Sequence, residues 1–367
     1  MIEGTRKFLT SVFVLALVFS TCVIPFFWVE KVNAQEGGSW TTLAPLPTSL
    51  YRPQGAVAVD GKIYLLGRHI NMKYDPETNT WTTLTPYPIS NSYGTVVACQ
   101  NKIYLIGGIA EVPTQVYDPA TDTWENRTSI STTRAGLQAN VVDGKIYVIS
   151  GQIPSFPSVI ETSSANDVYD PATDSWSEMA AIPVPVMGYA SAVLDNKIYI
   201  IGGGNAEAAY SPINQVQIFE PKTNQWTNGS QIPTGVVYTR ACVTTGLSYP
   251  KRIYVIGGTT NYYFGEGYAG RASVNLNQVY DPVTDTWSTG TPMPTSRCGL
   301  KVAVVNDELY AIGGSNGDGD VYANEKYIPS SYIPEFPSWI MLPLFLVATL
   351  FVMVFKKRLI HIRRYST

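Results

Sequence analysis

The sequence predicts an all-β domain assembled from one repeated four-stranded unit. The stretch QVYDPATDTW at 115–124 returns as DVYDPATDSW at 167–176 and QVYDPVTDTW at 278–287, and more loosely as MKYDPETNTW at 72–81 and QIFEPKTNQW at 217–226. A second motif, an apolar run ending in glycine, recurs as GKIYLLG (61–67), NKIYLIGG (101–108), GKIYVISG (144–151), NKIYIIGG (196–203), KRIYVIGG (251–258) and ELYAIGG (308–314). Composition agrees: charged residues make up 14%, aromatics 12% with 24 Tyr, and there are 30 Gly and 25 Pro, a profile of strands and tight turns.

The chain opens with Arg6 and Lys7, an apolar run, and small residues at Val32 and Ala34. This pattern reads as a secretory signal peptide over 1–34, cleaved before Gln35; the alternative is an uncleaved signal anchor, and either one exports the repeat domain. Within the first unit, an apolar strand at 56–59 turns at Asp60-Gly61 into the KIYLL strand, a third strand runs through MKY, and Asp75-Pro76 turns the chain into a fourth strand carrying Trp81. Asp at the first turn position caps with its side chain and Pro presets φ at the next, which accounts for the recurring Asp-Pro. Tyr and Trp then cover the sheet face against the neighbouring unit.

Glycines after a strand, then Tyr, then Trp, recurring together over 40–327, resemble the kelch repeat. That resemblance implies β-propeller blades, so the expected fold is a six-bladed kelch β-propeller over 35–330. Departures are Gly67-Arg68 in blade 1, Ser150-Gly151 in blade 3 and Phe219 for Tyr in blade 4. The sixth unit lacks its Trp, whereas SWTTLAPLP near the start carries Trp40 and matches WTTLTPYP at 81–88. The last blade is therefore expected to be closed by the N-terminal strand, leaving only short, protected edges.

Beyond the repeats come a Pro-rich stalk at 331–338, an uncharged apolar run at 339–355 and a basic tail at 356–367. The run's 17 residues reach roughly 25 Å as a helix, the short end of a transmembrane span. The basic flank marks the cytoplasmic side. IPEFPSW at 333–339 also looks like the PEF-type C-terminal sorting signals of archaeal surface proteins, which implies processing by a sortase-like membrane enzyme; the plain alternative is a membrane anchor. The expected location is the cell surface, with the propeller outside.

Residues 35–338 hold 17 Lys+Arg and 26 Asp+Glu, a net charge of −9. Such a surface is unsuited to nucleic acid. Cys99, Cys242 and Cys298 make an odd three after the signal, which argues against a disulfide framework. A single histidine, His69, precedes the tail, so a His-bearing triad or multi-histidine metal site lacks material, and neither catalytic residues, metal nor cofactor is assigned. NGDGD at 316–320 fails as an EF-hand, because Val321 stands where glycine is needed.

Ligand contacts are expected where the loops vary, between the glycine motif and the Tyr strand in blades 3 to 5. Two candidates lie there. Tyr262, Tyr263, Phe264 and Tyr268 in NYYFGEGY suit stacking on sugar rings or anchoring a protein, or else fold into a small apolar cap. Arg134 in TTRAG, Arg240 in YTRAC and Arg297 in TSRCG are read as equivalent positions before the first strands, with Arg52 nearby. Their guanidiniums would converge on carboxylates at the channel mouth. The kelch resemblance implies the same, since kelch adaptor domains use arginine to hold acidic peptide segments. The alternative is that these arginines bond carbonyls between blades. Asn126 and Asn228 lie in glycosylation sequons. The expected function is a surface binding or adhesion module for a carbohydrate or protein; a sugar-active enzyme such as a sialic-acid mutarotase, or a structural envelope component, are the alternatives.

Overall fold

The computed structural model describes residues 35–49, 54–67, 69–154, 161–205, 211–261 and 273–330. The signal segment, the stalk and the apolar run at 339–355 lie outside the described residues, as do Arg52, Tyr262, Tyr263, Phe264 and Tyr268. Among the described residues all regular structure is strand, and no helix is long and apolar enough to cross a membrane.

Six four-stranded antiparallel sheets succeed one another as blades. Their first strands are Gly55–Val59, Thr95–Cys99, Gln138–Val142, Ala190–Leu194, Arg240–Val243 and Lys301–Val305. Each packs on the first strand of the next blade, and that of blade 6 meets that of blade 1, which closes a ring around a channel. Six apolar clusters fill the six blade interfaces; between blades 2 and 3, for example, Tyr104, Ile106 and Val116 meet Leu137, Ile146 and Tyr169. Closure agrees with the expectation. The strand Gly38–Thr42 pairs antiparallel with Asn324–Pro329, setting Trp40 opposite Tyr327. Gln35–Glu36 adds a parallel pairing to blade 5, so the N-terminal segment ties two blades together.

The turns form as their residues dictate. Asp60-Gly61, Asp143-Gly144 and Asp195-Asn196 have positive φ at both positions, the type I′ geometry that matches strand twist. At the Asp-Pro turns the carboxylates of Asp75, Asp118, Asp170 and Asp281 accept from the amide two residues on, at 2.8–3.0 Å.

The end of the ten-residue motif does more than turn the chain. Its last Asp or Asn (Asn79, Asp122, Asp174, Asn224, Asp285) is left-handed. In four blades it accepts the hydroxyl of the motif tyrosine at 2.6–2.8 Å. The same oxygen accepts an amide from the segment leaving the preceding blade, and the motif Trp donates its indole N–H to that same residue's carbonyl. Thr128 is held by Asp174 at 2.9 Å and Trp176 at 3.0 Å; Thr85 and Ala180 are held alike. The repeated ten-mer is thus an inter-blade clamp. Tyr and Trp rings stack within each copy at 4.9–5.2 Å, Phe219 serving in blade 4 and Trp40–Tyr327 in blade 6.

Asp174→Ala is expected to cost about 1.5–3 kcal/mol, the range for hydrogen bonds to a charged group, measurable by urea denaturation. The hydrogen bond from Tyr169 is the main cause that holds the Asp174 carboxyl below its usual range. A lowered folded-state value means this contribution is complete above the unfolded value of about 3.9 and is lost as pH falls through the folded one. The variant should therefore melt closer to the parent in acid than at neutral pH.

Candidate functional site

The mouth of the channel is defined by backbone. The amide of Gly136 donates to the carbonyl of Tyr93, Gly188 to Gly136, Tyr238 to Gly188 and Gly299 to Tyr238, at 2.7–3.0 Å, a hydrogen-bonded arc from blade 2 to blade 6. All five residues have φ between 53° and 65°. Tyr93 and Tyr238 occupy a conformation uncommon for non-glycine residues, and both are half-buried at the mouth.

This arc corrects the alignment of the arginines. Tyr238 occupies the position of Gly136 and Gly299, so the counterpart of Arg134 and Arg297 in blade 5 is Val236, and Arg240 lies four residues further on, inside the first strand. Cross-strand register agrees: Arg240 pairs with Ile256, as Gln138 pairs with Ile149 and Lys301 with Ile312. The likeness of YTRAC to TTRAG is thus a likeness of letters, and a longer hairpin at 244–252 hid the shift.

Arg134 and Arg297 are fully buried. Arg134 donates to the Asp167 carboxylate and, at 2.9 Å, to the Ala165 carbonyl. Arg297 donates to Glu325 at 2.8 Å and to the Ala311 carbonyl at 2.9 Å. These bonds stay within one blade, so neither guanidinium is presented to a ligand at the mouth, and the expected cradle of three arginines is not formed. Blades 2, 4 and 5 explain the pairing. There the acid's position holds Gln115, Gln217 or Gln278, whose amide bonds the backbone of Ile89, Val184 or Thr234 instead, and no arginine is needed. Burial pushes Arg297 down to about 10, with Glu325 opposing the shift.

Arg240 is different. Together with Lys301 of blade 6 it lines a cavity of about 160 Å³ in the channel, with Gln54, Gln138, Asn140 and Ser191 on other walls. Among the described residues its guanidinium finds the Thr239 carbonyl, at 3.1 Å. It is half-buried and faces the channel. Burial pushes it down to about 10, and depresses Lys301 well below the usual lysine range with help from Arg240 repulsion. No carboxylate among the described residues lines the cavity. Sequence reasoning missed Lys301 and Asn140; alignment of the blades by register puts Lys301 level with Arg240 and Gln138, while Asn140 lies two residues further along its strand, opposite Tyr147.

The variable loops leave this same end. Register places Arg240 beside Ile256, after which Gly257-Gly258 lead into the blade 5 loop. The loop bases are pinned by bridges: Ala135 to Gln152, Met187 to Gly204 and Val237 to Thr259. The aromatic candidates at 262–268 belong to that loop and lie outside the described residues. Asn126 and Asn228 are exposed on fourth strands, away from the channel. In the NGDGD segment Asp320 accepts from Ser49, and among the described residues no three metal-ligating side chains come together.

A family model described as the KLHDC2/KLHL20/DRC7 Kelch-repeats domain matches residues 93–314, and a Kelch motif model matches 296–343. The chain belongs to the kelch-repeat family. Kelch-like protein 35 of Mus musculus is 27% identical over 253 residues, 67% of this chain and 39% of that protein. Kelch-like protein 15 of Homo sapiens is 30% identical over 194 residues, 47% of this chain and 29% of that protein. The matches thus span well under half of these kelch relatives. The solved structure titled "Structure of YjhT" aligns with a TM-score of 0.64 and 18% identity, covering 80% of this chain and 98% of that one, a likeness of fold.

Proposed function

We propose that this kelch propeller is an exported, membrane-tethered binding module whose loop face recognises a carbohydrate or protein on a neighbouring surface. The observation that carries the reading is the coincidence, at one end of the channel, of the bases of the three variable loops, two half-buried mouth tyrosines and a cationic cavity. Loops on a rigid scaffold are where recognition is built. The sugar-active enzyme reading has less to stand on, because no Asp or Glu among the cavity residues faces Arg240 or Lys301 to serve as an acid–base partner. Export rests on the signal-like segment at 1–34, and tethering on the apolar run at 339–355 with its basic flank. Processing by a sortase-like enzyme rests on the PEF-like segment alone, and glycan attachment on exposure of Asn126 and Asn228.

Two measurements test the reading. Detergent-purified full chain probed against glycan and peptide arrays is expected to bind a narrow set of features and to lose them when 262–270 is replaced by a Gly-Ser linker of equal length. Binding that survives this replacement removes the blade 5 loop from the recognition face. Protease added to intact cells is expected to remove the propeller; a propeller resistant outside and cleaved only after lysis reverses the topology.

A further inference from the structure

On the face opposite the variable loops, blade 5 departs from the repeat twice. The other blades join their first two strands through two residues, such as Asp60-Gly61, whereas blade 5 uses residues 244–252. This longer hairpin is braced from both neighbours. The Asp307 carboxylate of blade 6 accepts the Thr245 amide at 2.6 Å, the Thr245 hydroxyl at 2.9 Å and the Ser248 amide at 3.0 Å, and Lys251 reaches Asp195 of blade 4 at 2.5 Å. What so many bonds hold out into solvent is Leu247, 90% exposed. The second departure is in the Asp-Pro turn. After the proline, blades 1 to 4 place Glu77, Ala120, Ala172 and Lys222, and blade 5 places Val283, 88% exposed. Leu247 and Val283 are the two most exposed large hydrophobics among the described residues. One exposed apolar side chain needs no partner. Two departures that agree in blade, face and chemistry point to one.

The chain leaves the propeller beside them. The third strand of blade 6, Asn324–Pro329, runs away from the loop face, and the described residues end just beyond it at Ser330. Eight residues, 331–338, separate this point from the apolar run at 339–355, and fully extended they reach at most about 29 Å. A tether that short turns the face on which it is rooted toward the bilayer, with blade 5 next to the root.

We propose that this face of blade 5 docks on the bilayer that holds the chain's own apolar run, with Leu247 and Val283 inserted at the boundary between headgroups and acyl chains, so that the variable loops point outward. The assignment rests on the membrane-tethered reading and goes beyond it by naming the surface that meets lipid. Apolar insertion carries the contact, because the nearest cations are already paired, Lys251 with Asp195 and Arg252 with Asp281 at 3.0 Å. Tyr249 of the same hairpin is half-buried, and its ring suits the headgroup level. Two apolar side chains hold a free protein weakly, since such binding scales with buried apolar area. The tether makes the contact intramolecular and raises its effective concentration to the millimolar range.

Full chain reconstituted in phosphatidylcholine vesicles tests it. After Cys22→Ser, a fluorophore is attached through Ser248→Cys beside Leu247 or through Ile109→Cys on the loop face; Cys99, Cys242 and Cys298 are buried and stay unlabelled. Lipids carrying nitroxide on the upper acyl chain are expected to quench the label at 248 at least threefold more than the label at 109, equally in low and high salt. Leu247→Ser combined with Val283→Glu, the residue type of blade 1, should abolish the difference while the chain melts with the parent and stays in the vesicles. Equal quenching at both positions in vesicles that retain the chain overturns the docking and leaves the tether standing. A chain released from the vesicles by alkaline carbonate removes the tether and the docking together. Stronger quenching at 109 lays the loop face on the bilayer instead, and copies that cross-link through 248 without lipid quenching assign the patch to a second copy; either result overturns the proposal.

Discussion

Deleting residues 35–47 is expected to be the most damaging change to the propeller. The deletion removes the fourth strand of blade 6, including Trp40, whose ring stacks on Tyr327 at 5.0 Å and whose indole donates to the Thr291 carbonyl at 2.8 Å. It also removes the amide and carbonyl of Ala44 that Asn79 and Trp81 clamp from blade 1. Loss of the Trp40 packing alone is on the order of 3 kcal/mol, the lower end for truncating a core aromatic. The vacated Asn324–Pro329 strand becomes an open edge and a template for aggregation. The truncated chain should aggregate or melt far below the parent, and a synthetic 35–47 peptide added in trans should restore part of the melting temperature by strand addition. A truncated chain that melts with the parent would show that the ring does not depend on this closure.

Arg297→Ala is expected to lower stability by about 3–5 kcal/mol, the cost of stranding one member of a buried ion pair, here Glu325 at 2% exposure. Binding on the glycan and peptide arrays should be unchanged in variants that still fold. The same chain contains the control. Blade 5 fills the two positions with Val236 and Gln278, so Arg297→Val combined with Glu325→Gln recreates a working neighbour and should recover most of the loss. Arg134→Ala and the Arg134→Val, Asp167→Gln pair should behave alike in blade 3. Denaturant melts of the four variants decide the matter: single variants as stable as the parent but deficient in binding would return these arginines to the recognition site.

The Arg240 and Lys301 cavity stands apart from these pairs by the same comparison. Where Arg134 and Arg297 find an acid inside their own blade, Arg240 finds the carbonyl of Thr239.

Most of the scaffold was legible because its determinants are local and repeat. Asp-Gly pairs demand a tight hairpin, Asp-Pro demands a capped turn, and a repeat array with a Trp missing at its end and a spare one at its start demands closure. The clamp role of the motif's last Asp was not legible, because its partners are separated by 37 residues for Thr85 and Asp122 and by 46 for Thr128 and Asp174. The arginines misled for a related reason. Identical neighbours in the sequence placed Arg240 with Arg134, while Tyr238, left-handed like Gly136 and Gly299, shows that Arg240 stands level with Gln138 and Lys301 instead.

The class of fold, the number of blades, the strand that closes the ring and the kinds of turn between strands are all written in the order of the residues, since each depends on backbone preferences and apolar periodicity over a short stretch. Which cations are neutralised and which face the channel is fixed only when the blades assemble. Charge pairing depends on register between strands and on which residue arrives at a given depth, and a tyrosine in a glycine's place and one longer hairpin were enough to hide that register from a reading of adjacent letters.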